Sequence, residues 1–162
     1  MPNFIIEHQC PQCGAPAELA ETDRLFQCGF CRVSSFLSVP DVFHYLLPHN
    51  APSGKELIYF PYWRFKGMLF ACVPGDIKHR FVDVSQQAVH TPAIPFSLGF
   101  RSQTQRLRFA TGDLAGTFIK PDHPRSVLID NLNTRFCSRL SKPVLHQAQI
   151  GETLSLIYAP YY

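Results

Sequence analysis

No run of eighteen or more apolar residues occurs in this 162-residue chain, and its N-terminus lacks a basic start followed by an apolar stretch. Neither a membrane span nor a secretory signal is therefore expected, and the expected location is cytoplasmic. Charge is scarce: Asp, Glu, Lys and Arg make up 17% of the residues, against a usual share of about 25%. In their place stand 14 prolines and 14 phenylalanines. That content excludes an all-helical bundle, because proline removes a backbone donor and clashes inside a helix. The sequence signatures of common enzymes are missing as well, with no G-x-S-x-G, Walker loop, G-x-G-x-x-G or H-E-x-x-H. Seven histidines (His8, His44, His49, His79, His90, His123 and His146) show no ligand-pair spacing. His79 and Asp83 fall on one strand face two pleats apart, the one acid–base pairing the pattern offers, and a surface histidine is the commoner outcome. No catalytic residue is assigned.

An apolar share of 46% is enough for a buried core. The chemistry lies in the cysteines. Cys10-Pro11-Gln12-Cys13 and Cys28-Gly29-Phe30-Cys31 are two C-x2-C pairs with fourteen residues between them. Two intervening residues let a tight turn aim both sulfurs at one ion, so Cys10, Cys13, Cys28 and Cys31 are expected to hold a tetrahedral, structural Zn2+ with no open position. Disulfides would need an oxidising compartment, and nothing directs export. Iron suits the same four sulfurs. Arg32, standing where a glycine would make the two turns symmetric, favours zinc. A hairpin is expected between the pairs, with Ala17–Ala20 and Arg24–Gln27 joined by a turn at 21–23, and strands are expected at Phe4–Ile6 and Val33–Val39. Cys72 and Cys137 read as inert apolar residues.

Beyond residue 40 the pattern is that of strands. Val42–Leu47 is short and apolar, and Leu57–Phe60 is a second strand that breaks at Pro61. From Trp63 the chain alternates, with Trp63 and Phe65 on one side and Arg64 and Lys66 on the other. Residues 62–73 and 77–85 form a hairpin about Pro74-Gly75, where Pro presets φ and Gly accepts a positive one. The one helix expected follows Pro124, with Leu128, Leu132, Phe136 and Leu140 recurring every four residues. The expected fold is mixed and β-dominant (α+β): a zinc ribbon over residues 1–40, then an antiparallel β-rich domain over 41–162, truncated at its C-terminus. Leu57-Ile58-Tyr59-Phe60-Pro61-Tyr62-Trp63 returns as Leu156-Ile157-Tyr158-Ala159-Pro160-Tyr161-Tyr162, with five identities, as a duplicated β unit would.

The four cysteines resemble those of the zinc-ribbon superfamily, a likeness covering a quarter of the chain. Tyr59–Gly67, Ser97–Arg101 and Ile150–Glu152 are similar to an uncharacterised family of bacterial zinc-ribbon proteins, whose members continue past this endpoint. That likeness implies a cytoplasmic bacterial protein and assigns no catalytic residue.

Charge divides unevenly. Residues 1–40 carry two arginines against four carboxylates, whereas residues 101–142 carry eight Lys or Arg against three Asp. Arg106 and Arg108 alternate with Leu107 and Phe109, so with Arg101 they offer an anion-binding or nucleic-acid-binding face. The leading functional expectation is a non-enzymatic interaction or assembly module whose partner is a protein or a missing C-terminal region. Nucleic-acid binding through the basic segment is the alternative.

Overall fold

The computed structural model describes residues 4–39, 41–99 and 106–162; Arg101 lies outside them. Strands dominate. In chain order they are β1 (Ile5–Gln9), β2 (Pro16–Ala20), β3 (Leu25–Gln27), β4 (Ser34–Phe36), β5 (Phe43–Leu46), β6 (Ile58–Val73) and β7 (Asp76–Gln87). After these come β8 (Arg106–Phe109), β9 (Thr117–Phe118), the helix α1 (Arg125–Cys137) and β10 (His146–Tyr161). The main sheet runs β2-β1-β8-β5-β10-β6-β7, with β9 added at the start of β6, while β3 and β4 form a separate two-stranded sheet. The sheet is mixed: β1 with β8, β5 with β10 and β6 with β9 are parallel, and the remaining pairs are antiparallel. The antiparallel expectation thus fails at three pairings, each between segments far apart in the sequence, while β5 and β8 keep to it.

The expected break at Pro61 does not occur, and the backbone accounts for it. Proline cannot donate to a ladder. At Pro61 the ladder toward β7 has just ended with Tyr62 opposite Gln87. Beyond it the Ala88 amide donates to the Pro61 carbonyl at 2.9 Å, while the Ala88 carbonyl accepts from Asp122 and His123. No N–H is required of residue 61, and β6 continues for 16 residues.

The two aromatic repeats turn out to be partners. Tyr158 faces Pro61, Tyr59 faces Pro160, and Phe60 faces Ala159, so the copies lie antiparallel about a local two-fold between β6 and β10.

Period-2 alternation gives β6 two different buried faces. Trp63, Phe65, Leu69 and Ala71 pack with Leu156 and Tyr158 beneath Leu128, Leu132 and Phe136 of α1. The helix ends at Cys137, short of Leu140, yet Leu140 still packs on the same cluster. The opposite face meets the N-terminal hairpins: Phe4, Ile6, Leu19 and Phe26 pack on Phe43, Tyr45, Leu107 and Ile157. Strands β1 and β2 therefore share a sheet with the later strands, and both N-terminal hairpins share a core with them.

Trp63 is 7% exposed, and its indole Nε1 donates to the His123 carbonyl at 2.7 Å. Trp63→Ala is expected to cost about 3–5 kcal/mol, by cavity formation together with a stranded carbonyl. Denaturant melts of the two proteins measure this. Wild-type fluorescence should be blue-shifted and resistant to iodide; a red, readily quenched emission would contradict the packing.

Candidate metal centre

Each cysteine pair is the turn of its own hairpin. Cys10 to Cys13 joins β1 to β2, which pair from Ile5 opposite Ala20 to Gln9 opposite Pro16. Cys28 to Cys31 joins β3 to β4, which pair from Leu25 opposite Phe36 to Gln27 opposite Ser34. The expected hairpin between the pairs is thus corrected. Its two strands exist, but they belong to different hairpins and do not pair with each other. The reason is local, since a C-x2-C turn itself reverses the chain and pairs the strands on its own flanks.

Hydrogen bonding is the same in both turns. Cys10 N donates to Ala15 O at 2.9 Å and Gly14 N to Cys10 O at 2.8 Å; Cys28 N donates to Val33 O at 3.0 Å and Arg32 N to Cys28 O at 2.9 Å. Gly14 has φ 72° and Arg32 has φ 60°, so the two occupy equivalent left-handed positions. Glycine takes that conformation freely, whereas arginine is strained there by roughly 1–2 kcal/mol. The two turns are symmetric in backbone even though their sequences are not, and Arg32 therefore no longer discriminates between zinc and iron.

The four sulfurs lie within 4.8 Å of one another. Cys10 Sγ approaches Cys31 Sγ at 3.6 Å and Cys13 Sγ approaches Cys28 Sγ at 3.7 Å, each contact crossing from one hairpin to the other. A tetrahedron with metal–sulfur bonds of about 2.3 Å has edges near 3.8 Å, so the arrangement fits one four-coordinate ion. Cys10 and Cys28 are buried, Cys31 is partly exposed and Cys13 faces solvent. Backbone amides tune the sulfurs. The N–H groups of Cys31 and Phe30 point at Cys28 and pull its thiol down to about 6. At Cys31 the Val33 amide acts in the same direction, but burial and the sulfurs of Cys13, Cys28 and Cys10 outweigh it and push the thiol up to about 12. Four crowded sulfurs cannot all ionise unaided, and a divalent cation relieves that repulsion.

No known protein family, curated protein or solved structure matched this chain. What the structure supports of the zinc-ribbon expectation is a cluster of four cysteines compatible with one metal ion.

The basic residues of the second half fare differently from one another. Arg106 and Arg108 do share one face of β8, with Leu107 between them fully buried. Arg106 is already engaged: its Nη1 donates to Glu7 Oε1 at 3.0 Å on β1 and to Glu18 Oε1 at 2.7 Å on β2. Arg108 is exposed. As for His79 and Asp83, the histidine lies against Phe70 and Phe81, while Asp83 accepts both Arg64 Nε at 2.8 Å and Arg64 Nη2 at 2.7 Å.

That last contact belongs to a buried charge cluster which the sequence reading missed. Arg64 is fully buried and Lys66 nearly so. Glu21, in the bend between β2 and β3, pairs with Arg64 and lies 3.5 Å from Lys66 Nζ. Lys66 Nζ is also 3.3 Å from Glu152, and the Arg64 guanidinium sits 4.0 Å from the centre of the Phe4 ring. The signal was Arg64 and Lys66 alternating within a strand otherwise apolar. Alternation places them on one face, but it cannot say that the face opposite the helix is covered too.

Proposed function

We propose that the chain is a non-enzymatic interaction module whose N-terminal hairpins are held by one structural Zn2+ ion. Four thiolates close the coordination sphere and leave no position for a catalytic water. Free thiols at this spacing suit a reducing compartment, in keeping with a cytoplasmic location.

The observation that carries the reading is the outer face of the β3–β4 hairpin. Leu25 and Phe36 are direct cross-strand neighbours, yet they are 76% and 66% exposed; Phe30, between the second pair of cysteines, is 74% exposed. Phe26 on the inner face is buried in the core. Large apolar side chains grouped on a small rigid hairpin mark a protein contact. The test is purification of the tagged chain from its native cells, alongside a Leu25→Asp, Phe36→Asp variant. A stoichiometric protein kept by the wild type and lost by the variant is expected, with one zinc per chain in both. Iron in place of zinc, or a partner indifferent to the variant, would refute the reading.

Nucleic-acid binding remains as the second reading, carried by Arg108 and by the alternation of arginine with Phe109. Phosphates would have to displace Glu7 and Glu18 from Arg106, which weakens any counterion-release gain there. The expected result is no binding of labelled single-stranded DNA by the full chain at about 150 mM salt, measured by anisotropy. Binding abolished by Arg106→Glu with Arg108→Glu would establish the second reading instead.

A further inference from the structure

The far edge of the main sheet is β7, paired on one side only, with β6. Gln87 N donates away from β6, to Phe96 O at 2.8 Å. Backbone polarity alternates along a strand, so Ile77, His79, Phe81 and Asp83 aim their N–H and C=O groups at the same outer side. No strand among the described residues pairs with that edge. An open edge of this length is a template for one more strand.

Its two faces differ sharply in chemistry. Toward the helix, β7 presents Arg80 beside Val82 and Val84. Arg135 of α1 and Arg139, just past its C-terminus, line with Arg80 a recess of about 120 Å³. All three arginines are exposed, and no carboxylate among the described residues lies in ion-pair distance of them. On the opposite face Ile77 and Phe81 are 62% and 59% exposed, and Ile150 of β10 is 63% exposed across Met68. A strand added at this edge would send alternate side chains to these two faces, each within about 5 Å of its cross-strand neighbour.

We propose that the outer edge of β7 receives an extended segment of a protein partner in which acidic and apolar side chains alternate. The acidic ones face Arg80, Arg135 and Arg139, and the apolar ones cover Ile77 and Phe81. A second copy of this chain is disfavoured as occupant, because antiparallel self-pairing brings Arg80, Arg135 and Arg139 against their own equivalents. The proposal rests on the interaction-module reading and deepens it at a surface separate from Leu25 and Phe36.

The probe is a fluorescent peptide of about eight residues alternating Glu and Val, titrated into the zinc-loaded full chain. Comparison peptides carry Lys for Glu, or the same Glu and Val residues in two blocks. The alternating acidic peptide should bind at least about tenfold more tightly than either, which is about 1.4 kcal/mol. Arg80→Glu with Arg135→Glu, both at exposed positions, should reverse the preference between the acidic and basic peptides. Binding should also slow hydrogen exchange at the Ile77, His79 and Phe81 amides. Equal binding of the block peptide would reduce the surface to general anion attraction and overturn the proposal. So would unaltered exchange along β7, or dimers of the chain that exclude the peptide. Failure here alongside a partner still held through Leu25 and Phe36 would sink the edge proposal and spare the module.

Discussion

Chelating the metal-loaded protein should release the backbone amides of residues 4–39 to rapid hydrogen exchange while those of Ile58–Val73 stay protected. The binding free energy of a structural four-cysteine zinc is on the order of 10 kcal/mol near neutral pH, larger than most single contributions to a small fold. The first hairpin is also held by the pairing of β1 with β8, but outside the shared core the second has little else. The β3–β4 sheet has only three residues per strand, and a two-stranded ribbon of that size is not stable alone. Cys10 and Cys28 are themselves part of the core with Phe4, Ile6 and Phe26, so losing the ion removes an internal cross-link, not a surface ornament. Exchange should also quicken at Arg106–Phe109, because β8 pairs in parallel with β1. Cys10→Ser should reproduce the effect without chelator. Mass spectrometry of exchanged peptides reads each region separately, and unchanged protection of residues 4–39 in metal-free protein would disprove the dependence.

The second large effect belongs to Arg64. Arg64→Met should destabilise the protein by about 3–5 kcal/mol, since it leaves Glu21 and Asp83 as buried carboxylates without their shared guanidinium. Lys66 compensates only in part, lying 3.5 Å from Glu21 Oε2. The triple change Arg64→Met, Glu21→Gln, Asp83→Asn removes the charge imbalance and should recover more than half of that loss. Urea unfolding with a constant slope measures both. A single variant within about 1 kcal/mol of wild type would show that the cluster contributes no more than a surface ion pair does.

How far the sequence disclosed this molecule depends on the range of each signal. The two C-x2-C pairs needed only local spacing, and their four sulfurs come together. The Pro74-Gly75 turn was equally local: Val73 faces Asp76 across it, and Gly75 has φ 79°. The helix was legible because Leu128, Leu132 and Phe136 share one face. Pro61 misled because a missing donor matters only where a partner strand asks for it, which the sequence does not record. The parallel pairings were hidden for a similar reason. Ile5–Glu7 meets Arg106–Arg108 across about a hundred residues, and neither segment carries a mark of its partner. Arg106 looked available because its counter-charges, Glu7 and Glu18, come from that same distant segment. The repeat was visible, but the contact between its copies was not.

Because the longest pairing of the sheet joins β6 to β10, synthesis completes it late. Seventy-two residues separate Val73 from His146, roughly 4–14 s of translation at 5–20 residues per second. Throughout that interval β6 can pair with β7, and later with β9, on one side, while the side reserved for β10 has no partner. A strand containing Tyr62, Trp63, Phe65 and Leu69 is the sort of segment that joins others of its kind when left unpaired. Arg64 and Lys66 interrupt it at alternate positions, and charges so placed discourage nascent chains from zipping together. Glu21, the carboxylate shared by both, leaves the ribosome before either, and with Asp83 and Glu152 it later balances them; the same two cations guard the growing strand and then, once paired, allow it to be buried.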